Sequence, residues 1–274
     1  MDYSLKELLY KYGFTLKKSL GQNFLSDNGV LDAIVDKGGI TDSDIVVEIG
    51  CGAGTLTEKL SERAKKVYGF EVDTSLKKLL ADRFIDSENV EITFKDIMKI
   101  PTADLEKEIG CKYKVVANLP YYITTPIILK FIREAKNAES LVIMVQKEVA
   151  LRLSAKVGSA DYGAITATIG LVGNARIIEN VDKTKFLPPP KVDSAVVRID
   201  IDRNKYKGVD AEKYDKAVRC AFNNRRKTLS NNIMSCFGVD RVTADGIVES
   251  LGKDKMVRGE SLSVEDFIKF SERF

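Results

Sequence analysis

Apolar positions in the first 200 residues follow two alternating periodicities. Five short runs rich in β-branched residues are typical of buried strands, and they span residues 44–49, 66–71, 90–94, 114–117 and 140–145. Residues 56–64 have helical spacing, and residues 104–110 allow only a short helical link. Thr125-Pro126 predicts the start of a further helix, because proline is tolerated at the first helical position. Strands that alternate with helices predict an α/β fold with a mostly parallel, doubly wound sheet.

A change of pattern near residue 202 predicts a second domain. Residues 186–190 hold three of the six prolines and are expected to be extended, and residues 195–201 alternate as one more strand. After that strand the apolar spacing becomes helical and stays so. We therefore predict an α/β domain over residues 1–201 and a smaller all-helical domain over residues 202–274.

Composition and charge narrow the possible function classes. The 274 residues carry a net charge of +3, and the whole excess lies after residue 201, where 15 basic residues stand against 12 acidic ones. The sequence contains no histidine. A Ser-His triad, a histidine zinc site and a histidine general base are therefore excluded.

The cysteines and the apolar runs indicate a compartment. None of the four cysteines lies at CxxC spacing from another. A disulfide framework or a cysteine zinc site is therefore not expected, and a reducing cytosol is. No apolar run has the length of a signal peptide or a membrane span. We expect a cytoplasmic protein with no metal and no membrane partner.

A glycine-rich turn follows the first predicted strand and precedes a helix. Gly50, Gly52 and Gly54 let the backbone turn sharply and approach a ligand closely. Glu71 ends the second strand, where a carboxylate can accept hydrogen bonds from both hydroxyls of a ribose. Because the spacing is G-x-G-x-G rather than G-x-G-x-x-G, we favour S-adenosylmethionine over a dinucleotide. Asp96, after the third strand, could accept from an adenine amino group or cap a helix.

The segment Asn118-Leu119-Pro120-Tyr121 follows the fourth strand, at the edge where open α/β sheets bind ligands. The exocyclic amine of a base is a poor nucleophile, because its lone pair is conjugated into the ring. The Asn118 amide oxygen and the Leu119 carbonyl could accept its two hydrogens, and Tyr121 could stack on the base. Pro120 stiffens the turn and removes a competing donor. Such a loop would stabilise the positive charge that grows on nitrogen during methyl transfer.

Several longer motifs accompany these two loops. They are LGQNFL at 20–25, EIGCGAGTLT at 48–57, QKEV at 146–149, FLPPPKVDS at 186–194, AFNNRRKTL at 221–229 and RGESLS at 258–263. Together with the NLPY segment they resemble the small-subunit ribosomal RNA adenine dimethyltransferases over nearly the whole chain. The resemblance implies a Rossmann-like S-adenosylmethionine-dependent domain. It also implies two methyl groups on N6 of each of two adjacent adenosines in a hairpin loop near the 3′ end of the rRNA.

The resemblance also implies roles for individual residues. Tyr121 and Phe186 would sandwich the target adenine, which has to leave its stack to be reached. Phe186, which precedes three prolines, could alternatively be an anchor in the core. Cys51 stands where many relatives have proline, and a small side chain is expected to be tolerated there. The residues expected to bind the cofactor are Asn23, Leu25, Gly50, Gly52, Glu71, Asp96 and Asn118.

A basic run, Arg225-Arg226-Lys227, falls on a predicted helix near the C-terminus. Such a run can be a solvated face, but the local charge excess and the family motif favour contact with rRNA phosphates. Lys17 and Lys18 fit both interpretations equally. By the resemblance, the partner is small-subunit rRNA in an assembling ribosomal particle. Nothing in the sequence indicates an obligate dimer, so we expect a monomer.

Three alternatives remain open from the sequence. The macrolide-resistance branch shares the catalytic core and methylates large-subunit rRNA, but the motifs at 188–194 and 221–229 disfavour it. A non-catalytic assembly factor is disfavoured by the intact cofactor motifs, although one protein can have both roles. A nicotinamide-dependent oxidoreductase is disfavoured by the glycine spacing.

Overall fold

The computed structural model describes residues 5–15 and 21–273, and the chain divides into two compact units. The first unit comprises Met1–Ala150 and Arg176–Ile201, and the second comprises Leu151–Ala175 and Asp202–Phe274. The division at 201/202 coincides with the boundary expected from the sequence. Residues 151–175, which we assigned to the α/β domain, instead belong to the second unit. Their packing partners follow residue 201 in the chain, so local pattern alone could not assign them.

A seven-stranded sheet runs through the first unit. Its strands are β2 (Ile45–Ile49), β3 (Lys66–Phe70), β4 (Val90–Thr93), β5 (Tyr113–Asn118), β6 (Ala138–Gln146), β7 (Gly173–Val181) and β9 (Ser194–Ile201). The strand order is β4-β3-β2-β5-β6-β9-β7. Strands β2 to β6 are parallel to one another, and β9 is antiparallel to β6. The predicted Rossmann-like fold class is confirmed.

The strand order reverses where β2 lies beside β5. The neighbours of β2 are β3, which follows it in the chain, and β5, which comes after two crossovers. Both strands are buried, because residues such as Val46 and Val116 face helices that cover the sheet. In an open α/β sheet, such a reversal leaves a crevice outside the carboxyl ends of the strands. The fold therefore places a binding site after Ile49 and Asn118.

A second, two-stranded sheet was not predicted from the sequence. It pairs β1 (Phe24–Leu25) with β8 (Phe186–Leu187) in antiparallel register, with Leu25 opposite Phe186. A strand of two residues is too short to show a hydrophobic periodicity, so the sequence gives no sign of it. It can be recognised only from its pairing in the structure. This pair brings the N-terminal motif beside the proline-rich segment. Strand β7 was not predicted either.

Six helices lie wholly within the described residues of the first unit, and the seventh begins there and ends in the second unit. They are α1 (Leu5–Lys11), α2 (Asn28–Lys37), α3 (Thr55–Arg63), α4 (Lys77–Arg83), α5 (Thr102–Ile109), α6 (Tyr121–Glu134) and α7 (Lys147–Leu153). The expected helix start at Thr125-Pro126 is wrong, because Pro126 lies inside α6. The helix begins one turn earlier, where Pro120 at the N-cap already sets the backbone direction. Pro126 costs α6 one backbone hydrogen bond near its first turn.

The second unit is helical, as expected for its C-terminal part. Its helices are α8 (Ala164–Val172), α9 (Ala211–Ala221), α10 (Leu229–Phe237), α11 (Arg241–Ser250) and α12 (Val264–Ser271). Tyr214 and Phe267 form an edge-on aromatic pair in its core, with ring centroids 6.0 Å apart. The buried hydroxyl of Tyr214 donates to the Ala167 carbonyl at 2.9 Å, which ties residues 151–175 to α9. Among residues 5–15 and 21–273, no helix is long and apolar enough to cross a membrane.

Candidate active site

A cavity of about 400 Å³ lies at the carboxyl ends of β2, β3 and β5, within the first unit. Its size is that of a site for a small organic ligand. It collects every candidate cofactor or catalytic residue that the sequence suggested, which are Asn23, Leu25, Gly50, Gly52, Glu71, Asp96, Asn118, Leu119, Pro120, Tyr121 and Phe186. These residues come from separate segments of the chain, so their convergence depends on the sheet topology.

The glycine-rich turn forms one wall of the cavity. Gly50, Gly52 and Gly54 all have positive φ angles, of 79°, 55° and 81°. A Cβ atom on Gly52 would lie 2.8 Å from a ring carbon of Phe24, a distance that a real Cβ does not reach. Glycine is therefore required at this position for two reasons. The backbone is left-handed there, and the turn packs closely against β1.

Glu71 is almost completely buried at the end of β3 and faces this turn. Its Oε2 accepts a hydrogen bond from the Gly52 amide at 2.8 Å, and its Oε1 accepts from the amides of Val72 and Asp73 at 2.8 Å each. Burial raises the pKa of the Glu71 carboxyl, and the three amides oppose that shift. Oε1 already accepts two hydrogen bonds and Oε2 accepts one, so Oε2 keeps lone-pair capacity with which Glu71 could accept from a ligand hydroxyl.

Asp96 also lines the cavity, after β4. Its Oδ1 accepts from the Met98 amide at 2.9 Å and so caps a single 3₁₀ turn, Ile97–Lys99. Both interpretations of this residue therefore hold geometrically, as a cap and as part of the cavity wall. The apolar side chains of Ile97 and Met98 beside it form a surface suited to an aromatic ring.

Asn118 ends β5 and is half-buried, with Leu119 buried behind it. Pro120 is the N-cap of α6, and its carbonyl accepts from the Ile123 amide at 3.2 Å. The loop is thus fixed between a central strand and a helix. Tyr121 begins α6, and its hydroxyl lies 2.8 Å from the Ser194 hydroxyl. Burial raises the pKa of Tyr121, so its phenol is neutral.

Some residues at the site were not predicted. Ser194 is fully buried at the start of β9 and fixes the Tyr121 ring through their hydrogen bond. A serine in a strand gives no signal of such a contact. Tyr122, which is 68% exposed, and Lys95 lie at the cavity rim. Asn23 has its side-chain amide bonded to the Gly21 carbonyl at 3.1 Å, so it supports the loop that leads into β1.

Glu48 is a buried carboxyl next to the site. It is completely inaccessible in β2, and neither of its oxygens has a hydrogen-bond partner among the described residues. Burial raises its pKa to about 7, and the nearby Glu71 adds to the shift. Burial likewise raises the pKa of the Cys51 thiol well above its ordinary value, so this cysteine is a packing residue.

The predicted RNA-binding run belongs to the second unit, and its expected position on a helix is wrong. Residues 225–227 lie in the turn between α9 and α10, because the helical spacing is interrupted after Ala221. The Arg225 guanidinium donates to the carbonyls of Ala160 and Tyr162 at 2.7 and 3.0 Å. Arg225 therefore joins residues 151–175 to this turn. Lys17 and Lys18, and Leu20 of the N-terminal motif, lie outside the described residues.

Comparison with known proteins identifies the family. The model of the ribosomal RNA adenine dimethylase family matches residues 13–273. The chain belongs to this family. A curated relative from Bacillus licheniformis, named ribosomal RNA small subunit methyltransferase A, is 42% identical over 98% of this chain and 94% of its own length. The protein is therefore an S-adenosylmethionine-dependent methyltransferase, and the nicotinamide-dependent alternative is excluded.

Solved structures agree with this family assignment. The crystal structure of a dimethyladenosine transferase from Plasmodium falciparum has a TM-score of 0.77 and 29% identity, covering 90% of this chain and 95% of that one. The 23S rRNA methyltransferase ErmE has a TM-score of 0.71 at 24% identity, covering 92% and 99%. The ErmE likeness concerns the fold alone. Among the described residues, no group of three or more potential metal ligands occurs in this dimethylase.

The residues of the cavity fit S-adenosylmethionine. The ligand carries ribose hydroxyls that need an acceptor, and the buried Glu71 carboxylate next to the end of β3 could provide one. It needs an apolar slot for the adenine, which Ile97 and Met98 supply beside Asp96. It needs close backbone approach, which the turn at Gly52 supplies. S-adenosylmethionine carries no pyrophosphate, so its site does not need several cations. Lys95 is the only basic residue among the described residues that line the cavity.

Proposed function

We propose that this protein transfers methyl groups from S-adenosylmethionine to N6 of two adjacent adenosines in the 3′-terminal hairpin loop of small-subunit rRNA. The observation that carries the proposal is the Asn118–Tyr121 loop, which closes one side of the cofactor cavity next to Phe186. The name of the Bacillus licheniformis relative supports the small subunit as the source of the substrate. Dimethylation of adenine is the activity of the family.

In the proposed mechanism the cofactor supplies an electrophilic methyl group when bound. Glu71 would hold its ribose, Asp96 would accept from its adenine amino group, and Gly50 and Gly52 would let the backbone approach it. Asn23 and Leu25 close the same side of the cavity from β1. These contacts orient the ligand with respect to the Asn118 loop, which lies on the neighbouring strand β5.

The target amine is activated by acceptors and without a base. The Asn118 side-chain oxygen and the Leu119 carbonyl accept its two hydrogens, which draws the lone pair out of the ring and toward the methyl donor. Pro120 offers no competing N–H at this point. The positive charge that develops on nitrogen is stabilised by the same oxygens and by the π face of Tyr121. The proton then leaves to water, which is consistent with a sequence that has no histidine.

Two aromatic side chains position the base. Tyr121 is held by Ser194 in a fixed orientation, and Phe186 is held by the pairing of β8 with β1. A flipped adenine stacked between them could still slide and rotate within the ring plane, and the acceptors of the loop would remove that freedom. Arg226 and Lys227 of the second unit are exposed and would contact rRNA phosphates, while Arg225 would combine such a contact with its structural role.

The context that we infer is an assembling small ribosomal particle in the cytoplasm, with the protein acting as a monomer. Support for a reducing compartment comes from Cys51, Cys111, Cys220 and Cys236, all of which are free thiols. A protein that methylates both adenosines of one loop has two routes between methyl transfers. It can release the RNA and bind it again, or it can exchange the cofactor while the RNA stays bound. Neither route requires a second subunit.

The test is methylation of purified small subunits that lack the modification, with labelled S-adenosylmethionine, followed by digestion of the rRNA and identification of the nucleoside. We expect dimethyladenosine at two adjacent positions in the 3′-terminal hairpin loop. Label in large subunits alone would move the protein to the resistance branch. Label in neither subunit would contradict the proposal and favour a binding role in assembly.

A further inference from the structure

A second concave surface lies outside the cofactor cavity, in the first unit. It encloses about 380 Å³ and is lined by the side chains of Lys147, Lys183 and Lys191 together with Glu148 and Asp193. We call this surface the lysine pocket. Neither the cofactor nor the adenine-binding residues described above take part in it.

The lysine pocket has an excess of positive charge. All three lysines are exposed, and no hydrogen bond or salt bridge to any of their ammonium groups occurs among the described residues. Asp193 is engaged with the backbone, since its Oδ1 accepts from the Lys183 amide at 3.2 Å and its carbonyl accepts from the Lys147 amide at 3.0 Å. These two bonds hold the two lysines on either side of Asp193. Three cations facing two anions suit an anionic ligand.

The chain connects this pocket to both aromatic residues of the proposed adenine site. Lys191 and Asp193 lead directly into Ser194, whose hydroxyl lies 2.8 Å from the hydroxyl of Tyr121. Lys183 begins the short turn that leads into Phe186 at the start of β8. An anion in the pocket would therefore lie next to the place where the target base is held.

We propose that the lysine pocket binds phosphodiester groups of the RNA strand that flanks the target adenosine. This inference rests on the proposed function, because it assumes an RNA strand with one base turned into the cofactor cavity. Flipping a base distorts the backbone on both sides of it, so phosphate contacts next to the base hold the strand in register. Lysine suits this task because it neutralises a phosphate as a point charge and tolerates variation in strand geometry.

The test compares two triple variants. The first is Lys147→Gln with Lys183→Gln and Lys191→Gln. The control removes the same charge from three other exposed lysines, by Lys65→Gln with Lys107→Gln and Lys136→Gln. Lys65 and Lys136 lie just before β3 and β6, and Lys107 lies in the last turn of α5, which leads to β5. For the first variant we expect KM for small subunits to rise about tenfold or more, with unchanged affinity for S-adenosylmethionine. The slope of log KM against log salt should fall by about 0.7 for each phosphate that the variant no longer neutralises. The control should resemble wild type.

Each other outcome contradicts the inference. Equal KM values and salt slopes for the two variants would show that the pocket does not contact RNA. Reduced cofactor affinity in the first variant alone would indicate a structural role. Protection of the three lysines from acylation can be compared between inorganic phosphate and an RNA hairpin. Equal protection by the two would indicate a site for free phosphate. If wild-type protein methylates no rRNA, the proposed function fails, and hairpin binding by the two variants still tests the pocket.

Discussion

Asn118 combines two tasks at one residue. It ends the central strand β5, so its backbone is fixed, and its side chain lines the cavity where the target amine would lie. Asn118→Ala should therefore remove an acceptor without disturbing the strand. We expect kcat to fall on the order of 10²-fold or more, with a smaller loss of cofactor affinity. Single-turnover methylation of small subunits, alongside cofactor titration, measures both. Wild-type turnover would contradict the proposed mechanism.

Glu48 makes stability depend on pH. Its pKa is raised to about 7 in the folded protein, because burial disfavours the charged carboxylate. The folded state therefore binds this proton more tightly than the unfolded chain, whose pKa is about 4.3. The stabilising contribution of the protonated Glu48 carboxyl is complete below a pH of about 4.3 and is lost as the pH rises toward 7, at a cost of about 4 kcal/mol.

Glu48→Gln should remove this dependence while keeping the shape of the side chain. We expect the variant to melt at a higher temperature than wild type at pH 8, and the difference to shrink as the pH falls toward 5. Thermal unfolding followed at several pH values measures the effect. A difference that is constant across this range would show that Glu48 does not titrate within it.

The positions of single residues were the most predictable part of the cavity. Glu71 and Asn118 each end an apolar strand, and a polar residue in that position has few explanations other than a ligand. Ser194 and Glu48 were not assigned roles, because each depends on a residue far away in the chain or on burial by other strands. Sequence spacing shows where a strand ends, but it does not show what lies across from it.

At the scale of elements, the turn between β2 and α3 gives the clearest prediction. Gly52→Ala would place a methyl group in left-handed backbone and 2.8 Å from the Phe24 ring. We expect a loss of about 1–3 kcal/mol in stability and weaker cofactor binding, because β1 would have to move. Isothermal titration with S-adenosylmethionine and thermal unfolding measure the two effects.

Gly110 provides the matched control for this change. Its φ angle is also left-handed, at 72°, but an added Cβ would meet no atom within 4 Å. Gly110→Ala should therefore cost about 1 kcal/mol of stability and leave cofactor affinity unchanged. Equal cofactor affinities for the two variants would show that the packing against Phe24 does not matter for binding.

Element boundaries were less predictable than the elements themselves. The central strands β2, β5 and β6 were located from their apolar runs, since parallel strands are buried on both faces. The edge strand β4 was located from its alternating pattern. The start of α6 was misplaced because Pro126 carries a strong local signal for a first turn, whereas the preceding loop decides where the helix begins. The turn at 225–227 was misplaced because Leu229 and Ile233 continue the apolar spacing of α9 across a break. In both cases tertiary context overrides a local preference.

At the scale of the whole molecule, the second unit is assembled from two separate parts of the chain. Tyr214 and Arg225 bond to carbonyls in residues 151–175, so this segment has its partners after residue 201. A fragment that ends at residue 201 should expose that segment. We expect it to bind a hydrophobic dye and to aggregate.

A second fragment separates this effect from damage to the first unit. Residues 1–201 with 151–172 replaced by a flexible Gly/Ser linker would keep β7, which begins at Gly173. This fragment should remain monodisperse and bind S-adenosylmethionine, as measured by light scattering and titration. Aggregation of both fragments would mean that the first unit needs the second one to fold.

Strand β9 is the last part of the first unit to be translated, yet it lies inside the sheet, between β6 and β7. While the chain is being synthesised, β7 leaves the ribosome before its neighbour exists and has no place in the sheet. Residues 151–175 likewise lack their packing partners until α9 and the turn after it have been synthesised. The nascent chain can therefore complete the first unit only after residue 201 has emerged, and the second only after residues 202–274 have followed. Until then the unpaired segments are natural binding sites for chaperones.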